Sequence, residues 1–192
     1  MADSLKTKRI AILVTDGFEQ VELTEPRRAL ERAGGETHIV SPSRDNVRGW
    51  HYKKWGKQFT VDRPLEDVNP QDYDALLLPG GVMNPDRLRM NREAVAFVRH
   101  FVDNHKPIAA ICHGPWTLVE ADAVSGRTLT SWPSLKTDIQ NAGGTWVDQE
   151  VVIDRGLVTS RKPEDLPKFN SAMVSEFAKA TDESAEQTLR IA

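Results

Sequence analysis

The 192-residue chain predicts an α/β protein with a mainly parallel sheet covered on both faces and a small antiparallel excursion. Three observations carry that prediction. Short continuous apolar runs recur and end in turn residues. Segments of helical periodicity lie between them. One stretch, residues 46–62, breaks the alternation with glycine-separated aromatics. Composition removes competing classes. With 39% hydrophobic and 28% charged residues, the chain has enough apolar surface to fold. Its 25 Lys+Arg against 28 Asp+Glu give a net charge of -3, which supplies no general basic field for nucleic acid. No apolar run approaches the roughly 20 residues of a membrane span. The length predicts a single domain over residues 1–180, followed by a polar, loosely held tail over 181–192.

Each element has its own justification. Lys8 to Val14 is an apolar strand closed by Asp16-Gly17. Glu19 to Ala33 reads as a helix with Val21, Leu23 and Leu30 as apolar positions, Pro26 near its start and Gly34-Gly35 as its stop. Thr37 to Val40 is a short strand. In the excursion, Gly49 and Gly56 separate Trp50, Tyr52, Trp55 and Phe59, which predicts a hairpin. Tyr73 to Leu78 is a buried strand stopped by Pro79-Gly80-Gly81. Asn91 to His105 carries Ala94, Val95, Phe97, Val98, Phe101 and Val102 on one face. Pro107 to Ile111 is a central strand, and Pro115 to Ala121 the helix after it. Asp154-Arg155-Gly156 joins two strands as a hairpin turn. Pro163 to Lys179 is the closing helix, with Leu166, Phe169, Met173, Val174 and Phe177 on one side.

In such sheets ligands sit beyond the carboxyl ends of the strands. Three of those ends carry unusual residues: Asp16-Gly17-Phe18-Glu19, Pro79-Gly80-Gly81 and Cys112-His113-Gly114. The single cysteine excludes an intrachain disulfide. With an N-terminus that leads directly into a strand, it predicts a reducing, cytoplasmic setting. Cys112 is flanked two residues away on each side by Ala110 and Gly114. That is the small-x-nucleophile-x-small pattern of a strand-to-helix elbow, with Pro115 opening the helix. The elbow favours a reactive thiol of lowered pKa at a helix N-terminus over a structural buried cysteine. Gly80 and Gly81 offer backbone N–H groups that, with the amide of His113, can form an oxyanion hole, or a plain turn. Glu19 is either a carboxyl partner for the sulfur or a helix N-terminal acid favoured by the dipole. His113 is the neighbouring base, although consecutive residues on an elbow diverge. Asp16, Glu22 and Glu25 read as solvated charges. His38, His51, His100 and His105 show no metal spacing and read as surface or packing residues.

Taken together, five ordered blocks resemble the ThiJ/PfpI superfamily, and most closely its intracellular protease branch. They are residues 16–23 (DGFEQVEL), 74–81 (DALLLPGG), 110–115 (AICHGP), 141–144 (NAGG) and 148–152 (DQEVV), and the likeness spans about residues 8–180. The resemblance implies a flavodoxin-like three-layer sandwich, no cofactor and no metal, and homo-oligomers from dimers upward. It implies Cys112 as nucleophile, Glu19 as its carboxyl partner and His113 as the adjacent histidine. It further implies an acidic residue, here Asp86, that reaches the histidine of an adjacent subunit; the proteolytic archetype carries Glu there. Trp116 would narrow access to Cys112 or pack. The activities implied are a cysteine hydrolase acting on methylglyoxal-type aldehydes or glycated amines, an intracellular cysteine peptidase, or a non-catalytic redox-sensing stress protein.

Overall fold

The computed structural model describes residues 4–189, with side chains through Lys179. Strand β1 (Arg9–Leu13) leads into helix α1 (Gln20–Arg32) and strand β2 (Glu36–Ser41). The excursion is a hairpin of β3 (Asn46–His51) and β4 (Lys54–Thr60), and β5 (Arg63–Pro64) returns the chain to the sheet. Then come β6 (Ala75–Leu78), α2 (Met83–Met90), α3 (Arg92–Asp103), β7 (Ile108–Ile111) and α4 (Pro115–Glu120). A short parallel pair, β8 (Thr128–Leu129) and β9 (Thr145–Trp146), flanks α5 (Lys136–Asn141). The hairpin of β10 (Val151–Asp154) and β11 (Leu157–Ser160) precedes the closing helix α6 (Leu166–Leu189).

The seven-stranded sheet runs β10-β11-β7-β6-β1-β2-β5, parallel except for the β10–β11 pair. Strands β7, β6 and β1 are therefore neighbours at its centre, which puts the three unusual strand ends side by side on one rim. Each central strand is buried on both faces, as helices on either side require. Leu76 and Leu78 of β6 join one core with Phe97, Val98 and Phe101 of α3 and Leu118 of α4. Ala75 and Leu77, alternating to the other face, join a second core with Leu23 and Leu30 of α1 and Phe169, Met173 and Phe177 of α6. The small hairpin lies over the rim: Phe59 meets Phe18 at 5.6 Å between ring centroids, and the Trp50 amide donates to the Phe18 carbonyl at 2.6 Å.

Helices α2 and α5 and strands β5, β8 and β9 are absent from the reading of the sequence, and α6 is longer than that reading has it. Helix α2 has no apolar periodicity to announce it. Its anchor is Asn84, fully buried, whose Oδ1 accepts from the Thr15 amide at 2.8 Å and whose Nδ2 donates to the Pro79 carbonyl at 2.9 Å. Pro85 falls in its first turn, where no intrahelical N–H is lost. Helix α6 continues through Leu189 instead of stopping at Lys179. How loosely the tail 181–192 is held falls on side chains and residues outside those described.

Candidate functional site

The strand-to-helix elbow holds Cys112 at φ 62, a left-handed backbone that costs a non-glycine residue energy unless its surroundings impose it. They do. The Cys112 amide donates to Ser160 at the end of β11 (3.0 Å), its carbonyl accepts from the Trp132 amide (2.8 Å), and the Gly114 amide closes the turn onto Ile111 (2.9 Å). Gly114 is there because a side chain is impossible: a Cβ would stand 2.4 Å from the Leu78 carbonyl oxygen.

Cys112 borders a cavity of about 680 Å³ lined also by Gly17, Glu19, Glu22, Trp50, Tyr52, Gly81, Val82, Met83, His113, Trp132, Lys162, Pro163 and Glu164. Cys112 itself is only 7% exposed. Burial pushes its thiol up, and the charge of an ionised Glu22 pushes the same way; the amides of Gly81 and His113, which hydrogen-bond the sulfur, pull it down less. The lowered pKa expected at the helix start is thus not found. Helix α4 has six residues, and withdrawal from water outweighs its dipole.

The carboxyl that meets the sulfur is Glu22, and not Glu19. The expectation that Glu22 is a solvated charge is overturned. Its side chain is 0% exposed, sits beside Cys112, and accepts the Gly80 amide on Oε2 at 2.9 Å, while Oε1 has no hydrogen-bond partner. Burial raises its pKa from 4.5 to about 8, so the carboxyl is largely protonated at neutral pH. The cause is helix phase. The buried residues of α1 are Glu22, Leu23, Pro26 and Leu30, and Glu22 occupies the core-facing stripe one turn before Pro26. An acid on an apolar stripe is the signal the sequence did carry. Glu19, on the last extended residue before α1, borders the same cavity beside Trp50. Asp16 instead accepts the Arg48 amide at 2.7 Å, and Glu25 pairs with Arg28.

His113 Nδ1 lies 3.2 Å from Cys112 Sγ, and its ring stacks on Trp132 (5.9 Å, 22°) with Nε2 3.4 Å from Ser134 Oγ. Burial lowers its pKa to about 4, so the imidazole is neutral at pH 7 and the contact is a hydrogen bond, not an ion pair. Of the proposed oxyanion donors, Gly80 is already committed: its N–H is spent on Glu22, and a Cβ there would lie 2.7 Å from both Glu22 Oε2 and Cys112 Cβ. Gly81 remains, at φ 74, with its amide toward the sulfur. Asp86 is exposed on α2 and is not among the cavity residues, whereas Met83 of the same helix is. Trp116 of α4 packs half-buried against the core, donates to Asp138 at 2.9 Å and is not among the cavity residues. Met83 opens α2, while Trp132 and the 162–164 wall come from segments between the main helices and strands, and no local pattern announces their positions. Among the described residues, no group of three or more His, Cys, Asp or Glu is placed to hold a metal, and no helix is long and apolar enough to cross a membrane.

Known proteins share this arrangement of elements. The profile of the DJ-1/PfpI family matches residues 8–176. Protein/nucleic acid deglycase 2 of Escherichia coli (strain K12) is 46% identical over 166 residues, covering 85% of this chain and 94% of that protein. The crystal structure of Drosophila melanogaster DJ-1beta superposes with a TM-score of 0.81 at 27% identity, covering 98% of each chain. A two-domain protein from Anabaena variabilis, containing DJ-1/ThiJ/PfpI-like and ferritin-like domains, gives a TM-score of 0.82 at 34% identity. That match covers 88% of this chain and 48% of the other, so this chain spans about half its length.

Proposed function

The chain belongs to the DJ-1/PfpI family, and from that footing we propose that it is a cysteine-dependent hydrolase of deglycase or glyoxalase type, acting on reactive aldehydes such as methylglyoxal and on their adducts with amines. One observation carries the reading: Cys112, at a cavity wall, stands against a fully buried carboxyl, Glu22, whose Oε2 holds the Gly80 amide and whose burial pushes its pKa up to about 8. Such a carboxyl can give and take a proton without leaving the site.

The steps balance as follows. Sulfur attacks the aldehyde carbon, its proton passing to His113 Nδ1, 3.2 Å away. The carbonyl oxygen, held by the Gly81 and His113 amides, takes the Glu22 proton to give a hemithioacetal. From an amine adduct, the C–N bond breaks as the C–S bond forms, and the amine leaves with the proton. Ionised Glu22 then removes the hydrogen on that carbon and returns it to the neighbouring carbon, while the hydroxyl proton moves between the two oxygens. The product is a 2-hydroxy thioester. Water cleaves its C–S bond, releasing lactate and a proton and restoring the thiol, the neutral imidazole and the carboxylic acid.

The test is lactate formation from methylglyoxal, together with recovery of free amine from a preformed adduct. Wild type is expected to do both, Cys112→Ser neither, and Glu22→Gln to be slowed by about a hundredfold or more. Undiminished turnover by Cys112→Ser overturns the reading. A second reading, peptidase action, draws on the Cys112–His113 contact. It predicts cleavage of an unmodified peptide that is lost in Asp86→Asn, the residue the family pattern presents to a neighbouring subunit.

A further inference from the structure

We propose that the tip of the hairpin, residues 51–53, is a gate on the Cys112 cavity: Tyr52 sets the size of molecule that reaches the sulfur, and Glu19 is the positioning residue that holds Tyr52 in place. The inference goes beyond the reaction class, because a gate acts on whatever approaches the sulfur. Glu19 is the carboxyl that the proposed chemistry leaves unused. It is met by the backbone amides of Tyr52 and Gln20, and its Oε1 is closed to solvent. The contact falls on a strained residue. Tyr52 has φ 56, a left-handed backbone that costs a bulky side chain energy unless its neighbours impose it. Besides Glu19, the Trp50 indole imposes it by donating to the Tyr52 carbonyl at 2.8 Å, and the Lys53 amide closes the turn onto the His51 carbonyl at 2.7 Å. Tyr52 borders the cavity while 70% exposed, so its ring stands at the mouth, between the cavity and water.

The hairpin is built so that its tip can move while its stem stays. Strands β3 and β4 form a two-stranded sheet of their own, outside the seven-stranded one. The segment after β1 holds the stem. The Gly17 amide donates to the Arg48 carbonyl at 2.8 Å, Asp16 accepts the Arg48 amide, and Gln20 Oε1 accepts the Lys57 amide at 2.6 Å. None of these bonds involves the Glu19 carboxyl. Between Arg48 and Trp50 the ladder shifts register, with Gly49 at the irregularity, and such a bulge bends a strand. Past that point the Trp50 amide donates to the Phe18 carbonyl, and the Glu19 carboxyl meets Tyr52. Removing the carboxyl therefore frees the strained residue and leaves the stem fastened. Gating of this kind decides what enters a site without touching the reacting atoms.

Cys112 is the sole cysteine, so alkylation followed by intact mass reports on this thiol alone. The experiment measures its rate with iodoacetamide and with iodoacetamidofluorescein, which carries the same reactive group on a bulky dye. The bulky-to-small rate ratio is expected to rise about tenfold in Glu19→Ala and to stay within about twofold of wild type in Glu19→Gln, whose amide oxygen still accepts backbone N–H groups. Tyr52→Gly removes the ring but suits the left-handed backbone, so it should raise the ratio too. Trypsin cleavage after Lys53 separates the two roles: it should quicken in Glu19→Ala, where the tip is released, and not in Tyr52→Gly. A ratio equal to wild type in Tyr52→Gly overturns the gate, and decides the matter even where Glu19→Ala does not fold. A ratio that rises in Tyr52→Gly but not in Glu19→Ala, or that rises as much in Glu19→Gln as in Glu19→Ala, overturns the positioning role of Glu19. Because no turnover is read, loss of the deglycase reading leaves this test intact.

Discussion

Two buried ionisable side chains set the chemistry of the rim, and both make stability depend on pH. Unfolded, the Glu22 carboxyl ionises near 4.5; folded, near 8. Between these values the unfolded chain gives up a proton that the native chain keeps, so stability falls as pH rises through that window. His113 acts at the other end. Its pKa drops from 6.5 to about 4, so the unfolded chain binds the extra proton and stability falls as pH is lowered from about 6.5 to 4. Replacing Glu22 by Gln should therefore flatten the alkaline decline, by roughly 3–5 kcal/mol between pH 4.5 and 8, without moving the acid limb. Urea midpoints measured across pH check this, and an alkaline slope that is the same in both proteins would contradict the buried, neutral carboxyl. The same residue shows how a reading from composition fails. Acids in a helix are usually solvated, and Glu22 was read so; its place on the Leu23–Pro26–Leu30 stripe says otherwise.

The elbow between β7 and α4 was legible in the sequence because its demand is local. Crowding at a sharp turn selects small residues two positions to either side of Cys112, and Ala110 and Gly114 stand there. The demand can be tested. In Gly114→Ala the new methyl meets backbone, the carbonyls of Leu78 at 2.4 Å and Ile111 at 3.0 Å, and backbone cannot step aside. The variant should lose about 1–3 kcal/mol of stability and most of its activity. Gly126→Ala, at φ 67 with nothing within 4 Å, is the control and should cost only about 1 kcal/mol. Denaturant titration of the pair separates overlap from backbone strain. Helix α2 was illegible for the opposite reason. It is fastened by Asn84 to Thr15 and Pro79, partners that belong to two other strand ends, and no apolar repeat within residues 83–90 reports them.

Over the whole molecule, a sheet two residues deep in alternation feeds two separate cores, Phe101 in one and Phe169 in the other. Phe101→Leu and Phe169→Leu should each cost about 1–2 kcal/mol, and the double variant should cost their sum within about 0.5 kcal/mol, because the sheet stands between them. A larger discrepancy in the measured unfolding energies would mean the layers communicate through the strands. Alternating apolar runs and turn residues were enough to yield the order of the central strands and of helices α1, α3, α4 and α6, the parallel sheet, the hairpin excursion and the rim where three strand ends meet, since each rests on periodicity, turn chemistry and the connection rules of α/β chains. Which acid meets the sulfur, whether it carries a proton, which glycine amide is still free and which aromatics wall the cavity were settled only when the chain closed on itself. Glu22 and Gly80 are 58 residues apart, and their contact, like the loss of water that holds Glu22 neutral, exists only in the packed protein.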